Sequence, residues 1–233
     1  VAHEELTPRY VLFDAVGTVL LPDPPVAEAY QAVGHRFGSR LSTAEVLPRF
    51  RAAFARQESL DRGENGQRTS EDRERERWRS IVFEVFADVA DREPLFDALW
   101  QHFAEPRHWR VTEGAGELLH DLAARNFVLG LASNFDRRLE LLVQGLELLV
   151  PCRHIFASSA LGSRKPAIEF FRAIERELNA QPRELLLVGD DFENDFLAAR
   201  HAGWHAVLYD PENRYDAEPR IKRLSDLSLA SAR

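Results

Sequence analysis

"YVLFDAVGTVLL", residues 10–21, decides how the rest of the chain is read. Val11, Leu12 and Phe13 are contiguous and apolar, the pattern of a buried strand. Residues 9–14 therefore predict a strand. The run delivers an acidic residue, Asp14, into a turn built by Gly17 and Thr18. A buried strand presents a nucleophile at the end of a sheet in this way. Two residues further on stands Val16, which can neither give nor take a proton.

Outward from this stretch the character changes. "LPDPP" (21–25) reads as a linker, because its prolines forbid regular pairing. Helical patterns follow over 25–38, 43–60, 71–90 and 93–104. The second opens on "STAE" (42–45), a capping-box signature. "DRGENGQRTS" (61–70) reads as a loop. No strand pattern occurs between 21 and 106, which predicts an all-helical insert.

Beyond it helices at 112–126, 137–146, 165–178 and 193–202 alternate with strands at 127–133, 154–158, 184–191 and 205–209. That rhythm predicts an α/β fold: a Rossmann-like parallel sheet with helices on both faces. The expected division is an α/β core of 1–20 and 107–233, with a helical cap domain of 21–106. In such sheets the site lies beyond the carboxyl ends of the strands.

Composition narrows the function. At 233 residues with 45% apolar content, the chain can bury a sizeable core. Its net charge of −8, with no long basic block, argues against nucleic acid as a partner. No apolar run approaches the ~20 residues that cross a bilayer, so no membrane association is expected. The opening "VAHEELTPRY" has no signal-peptide pattern, and the expected location is cytoplasmic. Cys152 is the single cysteine, which excludes an intrachain disulfide and a cysteine zinc site and reads as a packed thiol. Nothing in the pattern fixes an oligomeric state.

Several predicted strands end in polar residues. Asp14 closes the first, Ser133 and Asn134 the second, and Asp190 and Asp191 the fourth, with Asp195 one turn further. Lys165 follows the third after a loop. Arginine is nearly the only cation of this chain, so one of its two lysines placed before Pro166 suits a point-charge role that a guanidinium fork fits badly.

These parts make a phosphoryl-transfer kit. A carboxylate can attack phosphorus and split one hard displacement into two. Clustered acids repel unless a hard cation such as magnesium sits among them. A hydroxyl, a lysine and backbone N–H groups can then hold the phosphoryl oxygens. Plainer readings exist: Ser133 and Asn134 could cap a helix, and the acids could cap a solvated turn. "EDRERERWRS" (71–80) reads as a solvated helix face with i,i+4 pairs. Trp78, Trp100 and Trp109 read as packing rather than a substrate platform.

The motifs "DAVGT", "LASN", "RKP" and "VGDDFENDFLAARHAG" together resemble the haloacid dehalogenase superfamily of hydrolases. "SNFDRRLE" (133–140) is similar to a phosphatase-like branch, the haloacid dehalogenase-like hydrolase domain-containing group. The resemblance implies a small phosphorylated substrate and a Mg2+ cofactor. It implies Asp14 as nucleophile and metal ligand, with the Val16 carbonyl and Asp190 as further ligands. Thr18, Ser133 and Asn134 would bind substrate. Lys165 would neutralise charge between nucleophile and phosphate, and Asp191 and Asp195 would shape the metal shell.

Val16 departs from that pattern. Phosphatases of the family carry an aspartate there as general acid and base. Relatives that cleave carbon–halogen bonds carry a bulky residue, since a halide leaves without protonation. A metal-independent 2-haloacid dehalogenase, or a weakly catalytic phosphate- or partner-binding protein, therefore stands beside the phosphatase expectation.

Overall fold

The computed structural model describes residues 8–63 and 66–230. The expectation for the first seven residues, the middle of the 61–70 loop at 64–65 and the last three residues lie outside the described part.

Six strands form one parallel sheet in the order β5-β4-β1-β6-β7-β8. They are β1 (Tyr10–Phe13), β4 (Val128–Ser133), β5 (Cys152–Ala157), β6 (Leu185–Gly189), β7 (His205–Tyr209) and β8 (Arg220–Ile221). β1 lies at the centre, with Phe13 opposite Leu131 on one side and Val188 on the other. The chain builds leftward from β1 through β4 and β5, then returns to its right as β6. That reversal opens a crevice at the carboxyl end of β1.

Burial on both faces explains the apolar runs. Val11, Phe13, Leu129, Leu131 and Val188 point into one core, under helices α5 (Ala115–Ala124) and α6 (Arg138–Gly145). Tyr10, Leu12, Leu185 and Leu187 point into the other, under α8 (Ile168–Leu178) and α9 (Ala198–His201). A one-turn helix, α7 (Ser158–Leu161), follows β5.

Between β1 and β4 lies the helical block. α1 (Val26–Arg36), α2 (Thr43–Gly63), α3 (Glu71–Val85) and α4 (Glu93–His102) enclose a separate core around Tyr30, Val46, Ile81, Phe86 and Phe96. At the start of α2, Glu45 reaches back to accept from the Ser42 amide at 2.9 Å, one half of the expected capping box.

Three expectations fail here. "LPDPP" is not wholly a linker: β2 (Leu20–Pro22) pairs antiparallel with β3 (Trp109–Val111), and Pro22 stands opposite Trp109 at the end of this two-stranded ribbon. Proline is tolerated there because its missing N–H faces away from the ladder. The helix expected over 193–202 is divided between a π-helical segment, Phe192–Leu197, and α9. The face expected to be solvated on α3 is partly buried, with Glu74 and Arg77 both 1% exposed.

Candidate active site

Asp14 follows β1 directly, its amide donating to the Val188 carbonyl at 2.8 Å. The carboxylate is therefore fixed at the seam between β1 and β6. Lys165 reaches it from the loop before α8. Its ammonium donates to Asp14 Oδ1 at 2.8 Å, to the Ala132 carbonyl at 2.8 Å and to Asp195 Oδ1. All three donor directions of this buried lysine are thus satisfied. Burial alone would lower its pKa, but Asp14 and Asp195 overcome that and raise it, so the ammonium keeps its charge.

Asn134 does not face outward as a free amide. Its Nδ2 donates to the Lys165 carbonyl at 2.9 Å, and its Oδ1 accepts from the Lys165 amide at 2.7 Å. This two-point clasp sets the lysine backbone across the crevice. Ser133 ends β4 and lines the cavity above Asp14.

The acidic loop works by close approach. Asp191 caps the π-helical segment, accepting from the amides of Glu193 and Asn194 at 2.9 Å each. Phe196 donates back to the Asp191 carbonyl, the wide i→i+5 turn that often marks functional sites. The turn swings Asp195 under Asp191, whose amide donates to Asp195 Oδ2 at 3.1 Å. A Cβ on Gly189 would stand 2.2 Å from that carboxylate. A Cβ on Gly17, whose φ is +98°, would stand 2.7 Å from Asp190. Both positions require glycine so that the acids can converge.

Asp14, Asp190 and Asp195 bring carboxylate oxygens within 4.8 Å of one another. Burial first, then Asp14, pushes Asp190 up to about 6, against the pull of the Thr18 hydroxyl. Burial raises Asp195 to about 7, with Lys165 opposing and Asp14 adding. Thr18 is fully buried and donates to Asp190 Oδ1 at 3.0 Å, away from the cavity lining. Val16 stays 37% exposed and lines the cavity beside Asp14.

The site thus brings together Asp14, Ser133, Lys165, Asp190 and Asp195, while Asn134, Thr18 and Asp191 each hold a neighbour in place. Two further groups escaped the sequence reading. Asn194 lines the cavity with its Oδ1 buried and unpartnered. Arg164 also lines it and joins a buried ion network with α2. Its position beside Lys165 was the one available signal.

The haloacid dehalogenase-like hydrolase family matches residues 8–203, which is most of the chain. The chain belongs to this family of hydrolases. A mouse relative, haloacid dehalogenase-like hydrolase domain-containing protein 3, is 30% identical over 218 residues, covering 89% of this chain and 83% of the relative. Among solved structures, the magnesium-bound hydrolase YfnB of Bacillus subtilis aligns with a TM-score of 0.70 at 20% identity, over 94% of this chain and 96% of that one. The L-2-haloacid dehalogenase of Xanthobacter autotrophicus aligns with 0.68 at 18% identity, over 89% and 79%. At these identities the structural likeness concerns the fold and leaves the reaction open. No helix among the described residues is long and apolar enough to cross a membrane.

Proposed function

We propose that this hydrolase is a magnesium-dependent phosphatase that acts on a small phosphorylated metabolite through an aspartyl-phosphate at Asp14. The observation that carries the reading is the charge count at the strand ends. Three convergent carboxylates face one ammonium. With all three ionised, two negative charges are left over in a buried place, which is costly without a partner. An all-oxygen donor set of that charge fits magnesium, which keeps waters and phosphate oxygens in its shell. Asp14, Asp190 and the Val16 carbonyl would hold the ion, and Asp191 and Asp195 would shape the set from behind. When bound, it would neutralise charge on the phosphoryl group.

The residues then divide the work. Lys165 fixes one oxygen of Asp14 and orients the other for attack, and its charge offsets that of the incoming phosphate. Ser133 would donate to a phosphoryl oxygen. Thr18 acts through Asp190, and Asn134 through the backbone of Lys165. The helical block would serve as a cap that keeps water from the reacting group.

Val16 favours a second reading, a metal-independent 2-haloacid dehalogenase, because a halide needs no proton. The surplus of buried carboxylates counts against it, since such a reaction gives them no cation to bind. The test is hydrolysis of p-nitrophenyl phosphate with and without magnesium. Release is expected to need the metal and to fall by ~10³-fold or more in Asp14→Asn. No release from magnesium-loaded protein, with chloride release from 2-chloropropionate in a chelator, would install the second reading.

A further inference from the structure

We propose that the substrates are phosphate esters of flat, uncharged aryl hydroxyls, not alkyl phosphates and not esters carrying a second anionic group. The proposal rests on the phosphatase reading above and assigns its substrate class. Three independent features of the cavity lead to it.

The first is the wall. A cavity of about 450 Å³ opens over Asp14, within the ~300–1,000 Å³ of small-molecule sites. Tyr30, Phe50, Phe54, Trp78, Trp100 and Phe135 line the same cavity as the acids. Trp78 lies nearly parallel to Phe50, with 22° between planes and 6.5 Å between centroids. The Arg138 guanidinium sits 3.5 Å over the Trp100 ring and holds it in place. Flat rings pack on such surfaces in offset or edge geometry.

The second is the charge in that wall. Among the described residues, every guanidinium lining the cavity already has a carboxylate partner. Arg138 grips Asp136 at 2.8 Å, Arg164 reaches Asp61 at 2.6 Å, Arg77 reaches Asp61 at 2.9 Å, and Arg62 meets Glu193 at 3.0 Å. Lys165 is held between Asp14 and Asp195. At Arg77, Arg138 and Arg164 a substrate carboxylate would have to break a buried pair and leave an acid uncompensated; the Arg62–Glu193 pair is half exposed and costs little to open.

The third is the missing proton donor. Val16 puts a hydrocarbon face beside the nucleophile. Glu58, the one glutamate on the lining among the described residues, is held as an acceptor by Arg77 and Arg164. Burial pushes the Tyr30 phenol up, which makes it a weaker acid than a carboxyl would be. With valine two residues after the nucleophile, no carboxyl stands there to protonate the leaving oxygen, and departure as an anion is far easier for an aryloxide than for an alkoxide.

The reaction balances on that basis. An Asp14 carboxylate oxygen forms a bond to phosphorus, and the phosphorus–oxygen bond to the aryl group breaks, its electron pair leaving on the aryloxide. Water then attacks phosphorus, restoring the Asp14 carboxylate and giving hydrogen phosphate. The second proton of that water neutralises the released aryloxide.

The experiment measures phosphate release by the full chain with saturating magnesium. The panel is p-nitrophenyl, phenyl and 2-naphthyl phosphates, hexyl phosphate, phosphoglycolate and acetyl phosphate. kcat/KM should fall as the leaving-group pKa rises, and 2-naphthyl should improve on phenyl through a lower KM. Hexyl phosphate should be ~10²–10⁴-fold slower than phenyl, the usual worth of general-acid help. Val16→Asp should narrow that gap at least ten-fold, while Val16→Asn, which offers no carboxyl, should not. As a readout without turnover, phenylphosphonate should raise the Tm of the magnesium-loaded protein more than methylphosphonate. Phosphoglycolate or hexyl phosphate turned over as well as phenyl phosphate would overturn the substrate class and leave the phosphatase reading standing. Silence on the whole panel, acetyl phosphate included, would remove the phosphatase reading and the substrate class with it.

Discussion

Two buried ion clusters meet at consecutive residues, and they differ in one respect. Lys165 belongs to the cluster with Asp14, Asp190 and Asp195. Arg164 belongs to a network with Arg73, Arg77, Glu58, Asp61 and Glu74. The second network holds three cations and three anions and is neutral. It joins α2 and α3 to the loop before α8, helped by the Arg164 amide on the Gln67 carbonyl and the Thr69 amide on the Gly162 carbonyl. The first network lacks two positive charges. Ionic groups that balance are a clamp between helical block and core. Ionic groups that do not balance, beside a cavity, mark a candidate functional site. The clamp ends one residue before the site begins, so the helical block is tied to Arg164, the chain neighbour of Lys165.

The largest expected effect breaks the clamp. Asp61 accepts from three arginines, and Asp61→Ala leaves buried guanidinium charge uncompensated. The expected loss is about 3–5 kcal/mol of stability, read as a Tm lower by roughly 10 °C. The rise in Tm on adding magnesium should persist. A variant with unaltered Tm and no response to magnesium would show that the two clusters have been assigned the wrong way round.

The next effect is the mirror image. In a chelator, Asp190→Asn should be at least as stable as the parent, because it removes one of the surplus charges. In saturating magnesium it should fall behind by about 2–3 kcal/mol, the linkage expected at ~100-fold excess over Kd. Differential scanning calorimetry at two magnesium concentrations reads both numbers. An Asp190→Asn protein that matches the parent's magnesium shift would separate Asp190 from the metal.

A smaller effect tests how the acids are brought together. Gly189→Ala places a Cβ where Asp195 now stands. Overpacking of this kind costs about 1–3 kcal/mol. It should also displace Asp195 from Lys165, so p-nitrophenyl phosphate turnover should drop while the clamp survives. Parent-like turnover would mean that Asp195 has room the structure does not reveal.

The same comparison explains what the sequence could disclose. Asp14, Ser133 and Asp190 were legible because each stands at the carboxyl end of an apolar run, and β1, β4 and β6 are neighbours in the sheet. Lys165 was legible through the scarcity of lysine. The clamp was not. Alternating charge on "EDRERERWRS" reads as i,i+4 pairs along one helix, and nothing local says that Arg77 instead turns inward to Glu58 and Asp61. The β2–β3 ribbon was hidden because Leu20 pairs with Val111, far along the chain, in strands of three residues. Trp78 and Trp100 were assigned to packing, which holds, yet both also face the cavity. A one-dimensional pattern marks a residue as apolar but not which of its sides meets solvent.

The smallest effect concerns an imbalance of the opposite sign, where the helical block rejoins the sheet. His102 at the end of α4 stacks on His108, with 3.7 Å between ring centroids and 20° between planes. Its Nε2 is buried without a partner. Burial first, then His108, depresses its pKa to about 4; Arg107 and Arg36 act in the same direction and Glu105 against them. Above pH ~6.5 the ring is neutral whether the chain is folded or not. Between pH 6.5 and 4 the unfolded chain takes up a proton that the folded one refuses, so stability is lost as pH falls through that window. The ring is only partly buried, and solvent screening limits the loss to about 1 kcal/mol, or 2–4 °C in Tm for a chain of this size. His102→Gln cannot be protonated and should lose less Tm than the parent over the same interval. Parallel Tm curves for the two proteins from pH 7 to 4 would show that this pair tolerates charge, and would confine the cost of unbalanced charge to the carboxylates around Asp14.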